Sequence, residues 1–362
     1  MLWLNICQIL MEEYMATKSL IIVHGMGKHT EASVKKEVVD ALKIVFSRYE
    51  TLKSKKPLNE IDVSVFDYDK YFEDYREAIE NRGNSDIVTA VQSVSNKFGG
   101  LLPGAALEIA KLDQSITADN MFTTHWLDVL LYRFSLLAEP IQLDLAGKIA
   151  AEVTTKGGPN VHVLGHSLGT SVLHDTLARL YGPEPMDVKL STVRDKLSCV
   201  HMVANVSRLL QSFRKAGASE VRPALGCCTN LIQYRHKLDP IPQIKPFTPT
   251  NNGGWVTHNI WEENYQLVEP NAVTAANVHG LGHYLLDPEV HLPLLRAVMG
   301  FRPLSAERKT AQDAFNASTM KGKAEALQQA VEALELSKQS VNNLLVTAKA
   351  FKDMVESFGE TF

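Results

Sequence analysis

The chain has 362 residues, 45% apolar and 22% charged, with a formal net charge of −4. That balance is the usage of ordinary soluble globular proteins, and it excludes a disordered chain as well as a basic protein that tracks phosphates with clustered Lys, Arg and aromatics. Length leaves the number of domains open, because α/β folds commonly run past about 250 residues as one unit.

Met1 to Leu10 is apolar but lacks a basic leading region and runs into Glu12 and Glu13, so residues 1–18 read as an N-terminal extension and no secretory signal is expected. The first strong strand is Ser19-Leu20-Ile21-Ile22-Val23-His24; it stops at Gly25-Met26-Gly27 and gives way to helical periodicity over about Glu31 to Tyr49. Ile61 to Phe66 alternates like a second strand. From about 68 to 120 strand character is lost, which predicts a helical cap insertion, with the apolar, glycine-rich Phe98 to Leu107 stretch as a lid or a buried hairpin. A helix over roughly Met121 to Val153 leads to Asn160-Val161-His162-Val163-Leu164, a β-branched run between Pro159 and Gly165 that reads as the central strand.

Leu197 to Ala204, Cys228 to Tyr234 and Ala272 to Val278 are the later strand candidates, and Pro288 to Met299 is the last helix of the series. Alternating βα units predict an α/β domain over 19–303, its mostly parallel sheet covered by helices on both faces. From Ala306 to Phe358 there is no Pro and one Gly, so 304–362 reads as a helical C-terminal extension. Leu327, Leu334, Val341, Ala348 and Val355 recur every seven residues there, but Lys338 and Lys352 interrupt the stripe. A tail packed on the domain is favoured over a helix for self- or partner association.

Gly165-His166-Ser167-Leu168-Gly169 follows the central strand and opens a helix, Leu168 to Tyr181. A strand that stops abruptly before a helix forces Ser167 into a tight turn with its hydroxyl exposed, and the helix N-terminus aims N–H groups at the same spot. The His24 to Gly27 loop after the first strand is placed to supply a second oxyanion donor, so Leu168 together with Gly25 or Met26 are the candidate donors. A phosphate loop around Gly27-Lys28 fails on spacing, because Ile22 stands where its first Gly is needed and His29 where its Ser or Thr is needed. An acid and then a base should follow. Asp239-Pro240 lies in the loop after the Cys228 to Tyr234 strand, and Pro240 stiffens it. Two bases stand in one loop, His279 and His283; His279, after the strand candidate and beside Gly280, is favoured, with His258 a third choice.

These residues resemble the lipase and esterase branch of the α/β-hydrolases: the HGMG loop at 24–27, GHSLG at 165–169, Asp239-Pro240-Ile241 and the His279 to Tyr284 segment, in which a His precedes a Tyr-Leu pair. Val203-Ala204-Asn205-Val206-Ser207 departs from the strand end of fungal lipases. The resemblance implies hydrolysis of a small-molecule or lipid carboxylic ester or thioester without metal or organic cofactor, with Ser167, Asp239 and His279 as nucleophile, acid and base. A phospholipase acting at a membrane surface is the second expectation, and a non-catalytic scaffold using the tail helix is the third. Cys7, Cys199, Cys227 and Cys228 are too few and too irregular for a disulfide framework or a paired zinc site. No apolar run reaches the roughly 18 residues of a membrane span. The expected protein is cytoplasmic and binds no nucleic acid.

Overall fold

In the computed structural model, which describes residues 18–26, 29–73, 129, 131–133, 137–210, 220–249, 263–332 and 341–359, the apolar runs of the sequence pair as a six-stranded, wholly parallel sheet. β1 is Ser19–Val23, followed by α1 (Glu31–Ser47), the short α2 (Pro57–Glu60) and β2 (Asp62–Phe66). After α3 (Ala138–Lys156) come β3 (Val161–His166) and α4 (Leu168–Tyr181), then β4 (Leu197–Val203), the single-turn α5 (Ser207–Leu210) and β5 (Cys228–Tyr234). A second short helix, α6 (Pro240–Gln243), precedes β6 (Tyr265–Val268), and α7 (Leu281–Leu286) and α8 (Pro288–Met299) complete the alternation.

The strand order is β2-β1-β3-β4-β5-β6. Winding therefore runs outward from β1 to β2, returns across β1 to β3, and continues the other way. The carboxyl ends of β1 and β3 flank the point of reversal, the crevice where open α/β sheets bind their ligands. Successive side chains of the strands enter opposite layers, as the two-residue period of a strand requires. Ile21, Val23, Val161, Val163, Val200 and Met202 face one layer with α3 and α4, whereas Leu20, Ile22, Leu164, Cys199 and Val203 face the other with α1, α7 and α8.

Three sequence expectations change. Ala272–Val278 is irregular, and the last strand is Tyr265–Val268 instead. Pro270 supplies no N–H, so pairing with β5 stops at Val268, and Val273, Ala276 and Val278 are buried without joining a ladder. The helix expected from Met121 does not run unbroken: Val129 and 131–133 are helical, Leu137 is a turn, and α3 starts at Ala138, with Pro140 tolerated in its first turn. The tail is not one helix but α9 (Ser305–Ala317), a turn at 318–320, α10 (Lys321–Glu332) and α11 (Val341–Ser357).

All three tail helices pack on the domain. Ala311 of α9 joins the α1–α8 layer, and the Arg48 guanidinium lies 5.3 Å over the Phe315 ring. Leu327, Val331, Ala348, Phe351 and Val355 join the opposite layer together with Ile241, Ile244 and Val273. Leu327, Ala348 and Val355 of the heptad stripe are thus spent on the chain's own core. Residues 1–17, most of the expected cap insertion including Phe98 to Leu107, and His258 lie outside the described residues. Among the described residues no helix is long and apolar enough to cross a membrane.

Candidate active site

Ser167 occupies the turn between β3 and α4 with φ 50° and ψ −123°, a conformation that L-residues adopt only when their surroundings impose it. The surroundings are explicit. A Cβ on Gly169 would stand 2.2 Å from the Val23 carbonyl oxygen, and one on Gly165 would stand 2.9 Å from the Thr170 Cα. Only glycine at both positions lets the start of α4 approach the ends of β1 and β3 this closely. The Ser167 N–H donates to Val203 O at 3.0 Å, fastening the turn to β4.

Three of the sequence-derived residues meet in one buried chain of hydrogen bonds. His279 Nε2 lies 2.9 Å from Ser167 Oγ, and His279 Nδ1 lies 2.8 Å from Asp239 Oδ2. A carboxylate only accepts, so Nδ1 carries the proton, and Nε2 is left to accept from the serine hydroxyl. Asp239 is fully buried and caps α6 by accepting the Ile241 N–H on Oδ1 at 3.1 Å. Burial raises its carboxyl, but His279, the Tyr284 hydroxyl and the Ile241 N–H outweigh that and hold it below the ordinary carboxylate range.

His283, the alternative base, sits inside α7 and does not reach Ser167: its Nε2 accepts the Thr274 N–H at 3.2 Å, and burial lowers its pKa to about 3. The two candidates are four residues apart, but His279 precedes α7 and remains free of the helix.

The β1 loop completes the crevice. The Tyr68 hydroxyl donates to both His24 O, at 2.9 Å, and Gly25 O, at 2.7 Å, and His24 Nδ1 donates to Gly25 O at 2.7 Å. The trans peptides put each N–H opposite its carbonyl, so Gly25 and Met26 both turn their N–H groups away from Tyr68. A Cβ on Gly25 would lie 3.2 Å from Ser167 Cβ, which fixes how near this backbone comes to the hydroxyl. Leu168 occupies the first position of α4, where its N–H has no intrahelical acceptor. Gly27 of the HGMG run lies outside the described residues. The crevice has a volume of about 240 Å³, and His24, Met26, His29, Ser167, His279 and Leu281 are among the residues that line it.

The supporting roles of three residues, Tyr284, Tyr68 and His166, escaped the sequence reading. The Tyr284 hydroxyl donates to Asp239 Oδ2 at 2.9 Å while accepting the His236 N–H at 2.9 Å. Tyr68 carries no local signal, since its role depends on a loop 44 residues earlier. His166 Nε2 donates to the His279 carbonyl at 2.7 Å, tying the neighbour of Ser167 to the backbone of His279; burial, chiefly, lowers its pKa to about 3 and keeps it a neutral donor.

A hydroxyl facing an imidazole, and that imidazole oriented by a buried carboxylate, form an arrangement able to support acyl transfer. Among the described residues no three His, Cys, Asp or Glu side chains are grouped to hold a metal ion. The chain matches no protein-family model and no curated protein.

Proposed function

We propose that this chain is a serine hydrolase of the α/β-hydrolase type that cleaves a carboxylic ester through an acyl-enzyme on Ser167. The observation that carries the reading is the Ser167–His279–Asp239 chain at a strained strand-to-helix turn. Ser167 Oγ attacks the ester carbonyl as His279 Nε2 takes its proton. The negatively charged Asp239 steadies the resulting imidazolium. Leu168 and Met26 N–H groups receive the oxyanion, with Gly25 N–H on the same side. The imidazolium then protonates the leaving alcohol, and water, deprotonated by His279, releases the acid.

The same steps serve thioesters and the acyl esters of phospholipids. The alternative of a non-catalytic scaffold is not favoured by Leu327, Ala348 and Val355 of the tail, which pack on the domain. A fluorophosphonate probe tests the proposal: wild type should label in a single stoichiometric step and Ser167→Ala should not. Equal labelling of the two proteins, or none of wild type, refutes it.

A further inference from the structure

Beyond the β4 and β5 ends, on the same edge of the sheet as Ser167, three long cationic side chains stand on three segments that hydrogen bonds tie to one another. Arg133 Nη1 donates to Leu209 O at 3.0 Å, which seats its guanidinium against α5. Arg208 projects from α5 itself, and its Nε and Nη1 are enclosed with no hydrogen-bond partner among the described residues. Lys245 follows α6, the helix that Asp239 caps. The backbone beneath them is cross-tied. Ser207 donates to Asn205 Oδ1 through its N–H at 3.0 Å and its hydroxyl at 2.5 Å, Asn205 Nδ2 donates to Gln233 Oε1 at 2.9 Å, and Gln233 Nε2 donates to Phe247 O at 3.2 Å. The turn bearing Arg208 and the segment bearing Lys245 are therefore held in fixed relation. The first also abuts the nucleophile helix, because the Val206 N–H donates to Thr170 Oγ1 at 3.0 Å.

Enclosing guanidinium N–H groups without acceptors is costly, and gathering like charges adds to that cost. Burial, then Arg208 and Arg133, push the Lys245 ammonium below its ordinary pKa. No carboxylate pairs with Arg208 or Lys245 among the described residues, whereas Arg179, Arg222 and Arg235 each pair with a Glu. An oxyanion would satisfy Arg208 and Lys245 together, with Arg133 alongside: a guanidinium presents parallel donors to phosphate or carboxylate, and a lysine supplies a point charge.

We infer that Arg133, Arg208 and Lys245 form a subsite for a phosphate or carboxylate group carried by the ester cleaved at Ser167. The ester, though not the anion, rests on the hydrolase reading. Binding is tested on the full chain by thermal unfolding with inorganic phosphate against chloride at matched ionic strength. Phosphate should raise the midpoint of wild type and Ser167→Ala alike, and Arg208→Gln and Lys245→Gln should each lose most of that rise. No rise in wild type, or an equal rise in both Gln variants, overturns the subsite.

Substrate is tested with esters of one acyl chain on glycerol and on glycerol phosphate, and with a carboxylate-bearing pair. Wild type should favour the anionic member, and Arg208→Gln should cut that preference in kcat/KM by about tenfold or more. A preference that survives both substitutions, or is absent in wild type, shows that the subsite takes free anions and overturns its assignment to substrate. If the fluorophosphonate probe fails to label Ser167 while the phosphate effect still depends on Arg208, the hydrolase reading falls and the anion site stands.

Discussion

Replacing Asp239 by Asn retains shape and removes charge, and the hydrogen bonds around the side chain dictate the consequence for catalysis. Oδ1 faces the Ile241 N–H at 3.1 Å, a group that can only donate, so the amide oxygen of Asn belongs there. The NH2 then occupies the Oδ2 position, against His279 Nδ1 and the Tyr284 hydroxyl. It donates to Nδ1, driving the imidazole proton to Nε2, where it blocks acceptance of the serine proton. Flipping the amide restores the competent tautomer but leaves the buried Ile241 N–H facing a donor, a cost of about 1–3 kcal/mol, or roughly 5–150-fold in population. The competent form also lacks a full charge opposite the imidazolium, which removes about 1.5–3 kcal/mol, another factor of roughly 10–150. Together these predict a fall in kcat on the order of 10³. The assay is ester hydrolysis by wild type and Asp239→Asn under saturating substrate, with circular dichroism and a thermal melt confirming the fold. A folded variant retaining more than a tenth of wild-type kcat refutes this account of the tautomer.

Tyr284→Phe removes one donor from Asp239 and one acceptor from the His236 N–H; we expect about 1.5–3 kcal/mol of lost stability in a denaturant titration, and a loss under 0.5 kcal/mol contradicts the assigned bonds. Ser167→Gly should abolish turnover yet raise the melting temperature, since relief of about 1–3 kcal/mol of backbone strain exceeds the roughly 0.5–1 kcal/mol cost of glycine; a lowered midpoint would speak against strain at this turn. Ending the chain after Pro303 removes the Met320 N–H to Val273 O bond of 2.7 Å, in the loop leading to His279, and the α11 packing against α6, next to Asp239. Each lost side chain among Phe315, Leu327, Phe351 and Val355 is worth about 1.5–3 kcal/mol, so the truncated chain should be insoluble or inactive, and full activity would show the tail dispensable. Burial holds His162, His283 and His291 at about 3, so below pH 6.5 the unfolded chain binds protons that the folded chain refuses, and stability falls as pH drops from 6.5 toward 3. At pH 5 the effect is about 2 kcal/mol per histidine as an upper figure, opposed by Asp287, whose carboxyl burial raises to about 6. Melts that are flat between pH 7 and 5 would contradict it.

What was legible in the sequence divides along local and non-local lines. β1, β3, β4 and β5 were readable because parallel strands buried on both faces are continuous apolar runs. Ser167, Asp239 and His279 were readable because each follows such a run at a turn, and the order acid-then-base narrows the choice. β6 was missed because only Val268 of Tyr265–Val268 is buried, so the edge strand lacks the apolar signature, whereas Ala272 to Val278 has it and spends it on packing. Tyr68 and Arg208 could not be found at all from pattern. A tyrosine bridging two carbonyls 43 and 44 residues away, or a guanidinium enclosed without a partner among the described residues, is a property of tertiary placement, and neither leaves a spacing to read.

The three hydrogen-bonded side chains come from loops after β3, β5 and β6, Asp239 standing 72 positions after Ser167 and His279 40 positions after Asp239. Their alignment depends on how the strand ends are tied. Hydrogen bonding continues one residue past each strand: Ser167 N–H to Val203 O at 3.0 Å, Ala204 N–H to Tyr234 O at 3.0 Å, and Arg235 N–H to Val268 O at 2.9 Å. The turn after β3 is thus referenced to β4, that after β4 to β5, and that after β5 to β6. A one-residue slip anywhere in this series would turn every following side chain to the other face. The alternating burial of both sheet layers resists such a slip, because Val200 and Cys199 belong to different cores. The precision of 2.8 and 2.9 Å at His279 is therefore a property of sheet register, held at its ends by Tyr68 on the β1 loop and Tyr284 on α7.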